Sequence, residues 1–146
     1  MASMTNYLEN KIVDAMFRNI AYTWPTTLAI GLFTVAPSDT GGGTEVTGGS
    51  YARVSLNPLY SNWKGTGGET TNTPSTGTSG TTSNNSVITF PAPTANWGSI
   101  QAVGIFDATS GGNLLLYNNL TIPKTVNNGD SAPSFAIDAL QVQIDN

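Results

Sequence analysis

Apolar residues fall at Leu8, Ile12, Val13, Met16, Phe17 and Ile20, with Asn10, Lys11, Asp14 and Arg18 between them. Spacings of three and four are those of an amphipathic helix. They predict one from Asn6 to Ile20, with Asn6 as N-cap and Glu9 three residues later, as in a capping box. The apolar face covers about half the circumference at ~100° per residue. A face that wide must be covered, either by the chain's own domain or by a groove on a partner.

Beyond Tyr22-Thr23-Trp24-Pro25 the pattern changes. Thr27–Thr34 is a continuous apolar run of buried-strand length. Pro37–Ser50 is Gly- and Thr-rich loop. Tyr51–Leu56 alternates, with Ala52, Val54 and Leu56 on one face and Tyr51, Arg53 and Ser55 on the other. Asn57–Asn85 has low complexity from Gly65 onward, and its only large anchors are Tyr60 and Trp63. It is long for a connection, so it predicts a functional loop, a flexible excursion or disorder. Strand patterns resume at Ser86–Phe90 and Ser99–Phe106, then at Leu114–Asn118 after a hairpin connection over Asp107–Asn113. Leu120–Val126 follows, with Pro123 marking an edge or a bulge. Asn127-Asn128-Gly129-Asp130 is a turn, and Ser134–Ile144 reads as one last strand with Leu140, Val142 and Ile144 on its inner side.

About seven strands joined by turns predict an all-β fold. It is expected to be an antiparallel β-sandwich, jelly-roll-like, with one short N-terminal amphipathic helix. The organisation expected is a helical segment, 1–22, that packs on or reaches from a sandwich domain, 23–146, which carries the long 57–85 loop.

Composition sharpens this. The chain has 146 residues and only 10% are charged, while Thr, Asn and Ser make up about a third. Neither Cys nor His is present. That removes disulfides, thiolate nucleophiles, imidazole bases and the usual zinc ligand sets. The five Lys and Arg (Lys11, Arg18, Arg53, Lys64, Lys124) are scattered and the pI is about 4.3, so no nucleic acid is expected as partner. No apolar run is long enough for a membrane span, so no membrane partner is expected, and Met1–Asn6 lacks the features of a signal peptide.

Candidate chemistry is sparse. No lysine has a serine partner at SxxK spacing. The carboxylate pairs Asp39 with Glu45 and Asp107 with Asp130 sit in Gly-rich turns, where Asp also bonds its own backbone. Asp107, Thr109 and Asn113 suit a calcium ion or simply a hairpin turn. No catalytic residue, cofactor or metal is expected. Trp24, Trp63 and Trp97 could form a sugar-binding platform. Trp24 and Trp97, beside Pro and Gly at element boundaries, are better placed for core or anchoring roles, which leaves Trp63 as the tryptophan suspected of touching a partner. The partner-contact candidates are Leu8, Ile12, Met16 and Phe17 on the helix, with Tyr60 and Trp63 in the loop.

Several segments together carry a resemblance. They are Asn6–Lys11, Gly31–Thr34 followed by Ala36–Asp39, Gly43–Arg53, Ile88–Pro91, Trp97-Gly98 and Gly104–Asp107. In this order the chain resembles a family of small structural proteins of tailed bacteriophages, with Glu45–Arg53 the most specific part. Members are often labelled tail-fibre proteins, and similar β-rich phage proteins serve as capsid decoration, or cement, proteins. The resemblance implies a non-enzymatic virion part, assembled in the host cytoplasm. It would be homo-oligomeric and in contact with the major capsid protein or other virion proteins. Decoration of the capsid, bridging coat subunits through many small interfaces, is the first expectation. A tail-fibre or baseplate component with an adaptor or receptor-binding role is the alternative.

Overall fold

The computed structural model describes residues 2–144. Its main body is a six-stranded antiparallel sheet. Three strands make its centre: β2 (Ala29–Val35), β7 (Gly98–Phe106) and β8 (Leu114–Val126). The short β1 (Ser3–Met4) pairs with β8, while β3 (Thr44–Glu45) and β4 (Val54–Ser55) both pair with β2. Two further ribbons are β5 (Thr81–Ser83) with β10 (Gln141–Gln143), and β6 (Ile88–Thr89) with β9 (Ser134–Phe135). The fold is therefore all-β and antiparallel with one helix, as the pattern predicts. Its layers are one large sheet and two ribbons, not the two matched Greek-key sheets of a jelly roll.

Alternation on β2 and β7 places Ile30, Leu32, Val103 and Ile105 on one face. They pack with Ile88, Phe90, Leu140 and Val142, so both ribbons close over this face to form the principal core. Phe33, Ala102 and Phe106 form a smaller cluster on the other face. Two strand glycines serve that second cluster. A Cβ at Gly104 would lie 2.7 Å from Phe33 Cε2, and one at Gly31 would lie 2.8 Å from Phe106 Cε2, so only glycine lets the two rings lie over the strands. The rings stack with centroids 5.9 Å apart.

The helix α1 spans Asn6–Phe17, shorter than predicted. Its N-cap is Thr5, not Asn6, and Thr5 makes no side-chain cap bond. Its hydroxyl donates instead to the Leu114 carbonyl at 2.7 Å, tying the helix start to β8. The chain leaves the helix through Asn19, which takes the left-handed conformation, so Ile20 lies beyond the helix.

The predicted strand Ser134–Ile144 is two strands, β9 and β10. Asp138, also left-handed, turns the chain between them, and Ile144 is exposed rather than on an inner face. Leu114–Val126 is conversely one strand with a wide bulge, because Leu120–Pro123 face only Gln101 of β7.

The low-complexity segment is more structured than its composition predicts. Its C-terminal end is β5, followed by Asn84, which has no solvent exposure. Its middle closes around one side chain. Glu69 accepts hydrogen bonds from the Gly67 N–H at 2.9 Å, from the Thr76 N–H at 2.9 Å and from the Thr76 hydroxyl. These bonds hold its carboxyl at about 2, against an ordinary 4.5, with the Thr76 hydroxyl the largest cause. The folded value is depressed, so the clasp is complete above pH 4.5 and is lost as pH falls through about 2. Amide resonances of Gly67 and Thr76 followed by NMR should shift over that window, and in Glu69→Gln they should be shifted at neutral pH already.

Candidate functional site

The segment after the helix and the start of the long loop meet over one end of the sheet. Proline denies a donor to any ladder and keeps its predecessor extended, so Trp24-Pro25 and Pro58-Leu59 run as unpaired chain. Their apolar side chains are left to line a groove of about 420 Å³. Leu8, Leu115 and Leu116 form one part of its lining, and Trp24, Leu28, Leu59, Tyr60 and Trp63 another. The lining is almost wholly apolar, and the groove is open to solvent.

Of the predicted contact residues, Leu8, Tyr60 and Trp63 meet in this groove. Leu8 is buried, at 7% exposure, and anchors the helix as much as it lines the groove. Ile12 is half-buried and does not line the groove. Met16 and Phe17 stand at the end of the helix, 70% and 77% exposed, beside exposed Val13 and Ile20. The helix therefore buries only the first part of its apolar face and leaves its C-terminal turn uncovered.

The tryptophans differ from expectation. Trp97 is buried and donates from Nε1 to the Gly49 carbonyl at 2.9 Å, as an anchor should. Trp63 is the second anchor: it packs on the core and donates to the Leu56 carbonyl at 3.0 Å. Trp24, expected to be structural, is 61% exposed and meets Tyr22 edge-on, with ring centroids 4.8 Å apart. Trp63 is thus an anchor of the 57–85 segment, as its place in a low-complexity stretch suggests, and it also lines the groove. The proline after Trp24, which keeps it out of a strand, was the signal for its exposure.

The carboxylates considered for chemistry are each engaged in structure. Asp107 accepts both the backbone N–H of Asn113 at 2.6 Å and its side-chain amide at 2.7 Å, which closes the hairpin. Asp130 accepts the Asn127 N–H within its own turn at 2.7 Å. Asp39 accepts the Tyr117 hydroxyl at 2.6 Å. Glu45 is held by Arg53 in a two-pronged pair, at 2.8 and 2.7 Å, and by the Tyr51 hydroxyl at 2.9 Å. Arg53 also donates to the carbonyls of Ala108 and Gly111 and lies 3.3 Å from the centre of the Phe106 ring. Tyr51 accepts the Leu32 N–H at 2.8 Å, and burial, with the Glu45 carboxylate beside it, pushes its phenol well above the ordinary range. Thus Glu45–Arg53, singled out in the sequence, ties its own segment and the 107–113 connection to the sheet. No group of three or more acidic, His or Cys side chains placed to hold a metal occurs among the described residues, nor any helix long and apolar enough to cross a membrane.

Fold and site together define a small β-rich protein whose candidate carboxylates are engaged internally and whose apolar groove is left open. The chain belongs to the Gp80 family, described as podophage GP4 fiber I protein gp80, which it matches over residues 3–143. It is thus a phage structural protein and part of the virion. No curated protein matches it.

Proposed function

We propose that the protein is a component of the phage tail fibre that performs no catalysis and attaches to neighbouring virion proteins through its apolar groove and exposed helix end. The family description supports the fibre over capsid decoration, the first expectation. The observation that carries the attachment surface is the open groove over Leu28, Leu59, Tyr60 and Trp63, next to a helix that ends in bare Met16 and Phe17. Contiguous exposed apolar surface marks an interaction site. The occupant is an apolar ridge of an adjoining virion subunit, because the lining offers almost no polar partner.

The composition of assembled particles tests this. Leu59 and Phe17 are exposed, so Leu59→Asp and Phe17→Asp should change folding stability by only about 0.5 kcal/mol. An aspartate pressed into an apolar contact loses its hydration, so both variants should be depleted from virions about tenfold or more. Normal incorporation of both would remove this surface from the account.

A further inference from the structure

A second, more polar cleft of about 270 Å³ lies beside the groove, between the helix start and the segment 22–27. Tyr7, Tyr22 and Trp24 bring three rings to it, with the hydroxyls of Thr23, Thr26 and Thr27 and the carboxylate of Asp107. Thr23, Trp24 and Thr26 are exposed. Trp63 and Trp97 both donate from Nε1 to carbonyls. Among the described residues Trp24 makes no such bond, nor do the hydroxyls of Tyr7, Tyr22, Thr23, Thr26 or Thr27. Tyr22 titrates above its ordinary value, through partial burial and then through Tyr7 and Asp107, so at neutral pH its phenol is an uncharged donor and acceptor.

We propose that this cleft binds a neutral saccharide, with a sugar ring lying on Trp24, whose plane stands at 70° to that of Tyr22, and its hydroxyls bonded by the threonines, Tyr7, Tyr22 and Asp107. The apolar C–H face of a pyranose presents slightly positive hydrogens, which suit the negative face of an aromatic ring. The hydroxyls at its rim need donors and acceptors mixed at close spacing, which Thr and Tyr supply. Asp107 still has lone pairs for a sugar hydroxyl after its two bonds to Asn113. Among the described residues the only acidic or basic side chain lining the cleft is that of Asp107, so an anionic ligand is disfavoured. A purely apolar ligand would strand the free hydroxyls and belongs in the neighbouring groove instead. Trp24 and Tyr22 line both cavities, but the binding proposed here does not depend on the attachment reading.

The test is an NMR titration of the full chain with chitotriose, maltotriose and a rhamnose trisaccharide, following the three indole N–H signals. An open cleft of this size should bind at least one of them in the millimolar range. The Trp24 indole should move while those of Trp63 and Trp97 stay in place. Trp24→Ala and Thr26→Val, both at exposed positions, should weaken binding about tenfold with the remaining spectrum unchanged. Leu59→Asp, which lies in the groove alone, should bind sugar normally, so a failure of attachment and a failure of this site read out separately. No movement of the Trp24 indole with any of the three sugars, or binding undiminished in Trp24→Ala and Thr26→Val, would overturn the proposal.

Discussion

Asn84→Ala should be among the most damaging single substitutions in the chain, lowering unfolding free energy by about 3–5 kcal/mol. The side chain is fully buried and all its hydrogen-bonding groups are engaged across the chain. Its Nδ2 donates to the carbonyls of Ser86 and Ala136, each at 2.7 Å, and its Oδ1 accepts the Leu140 N–H at 2.8 Å. Its backbone adds two more ties, from its N–H to the Leu140 carbonyl and from the Asp138 N–H to its own carbonyl. Alanine would leave the Leu140 N–H and the Ser86 carbonyl without partners, at about 1–3 kcal/mol each, and would take one of two donors from the Ala136 carbonyl, which keeps the Ala139 N–H. Asn84→Asp should be as bad or worse, since it turns both donors into acceptors facing carbonyls and brings a charge into the core. Chemical denaturation reads both variants. A loss below about 1 kcal/mol in Asn84→Ala would mean that the ribbons are not joined through this residue.

Arg53→Ala should cost about 3–4 kcal/mol, the range for breaking a largely buried pair from one side. The arginine side chain is 9% exposed and that of Glu45 is 23% exposed, so the pair is only weakly screened. Removing it uncovers the Phe106 ring, frees two carbonyls of the 107–113 connection and leaves the Glu45 carboxylate with Tyr51 alone. Arg53→Lys should recover little, because an ammonium cannot pair with both carboxylate oxygens and also reach the hairpin. Hydrogen exchange should show faster opening at Asp107–Asn113 in both variants. A double-mutant cycle with Glu45→Gln should give a coupling of about 2 kcal/mol. Additive single effects would contradict the pairing.

The strands of the main sheet were legible because they are long and apolar. Thr27–Thr34 and Ser99–Phe106 became β2 and β7 with small shifts at their ends. What escaped the sequence was set by contacts far along the chain. Asn84 looks like one more Asn in a run of Ser, Thr and Asn, and only its distance from Ala136 and Leu140 in the sequence conceals its role. Asp138 breaks Ser134–Ile144 in two by taking the left-handed conformation, at the point where the apolar positions change phase from Phe135 and Ile137 to Leu140, Val142 and Ile144. Alternation puts Arg53 and Tyr51 on one face of a strand, and it does not show that both reach Glu45, Arg53 from over the Phe106 ring and Tyr51 with its own ring against Phe90 and Trp97. The candidate contact surface was half legible. Of the groove's lining, helix periodicity pointed to Leu8 and the loop's large side chains to Tyr60 and Trp63, while Ile12, Met16 and Phe17 lie outside it and Trp24, Leu28 and Leu59 carry no period at all.

The role proposed for the chain rests on where and how often it occurs in the particle. The most direct measurement is its copy number relative to the major coat protein, by quantitative mass spectrometry of purified virions. A fibre component should occur in a small number set by the symmetry of the tail, and the Leu59→Asp and Phe17→Asp chains should fall below even that. A copy number comparable to that of the coat protein would contradict the fibre assignment and return the protein to the surface of the capsid.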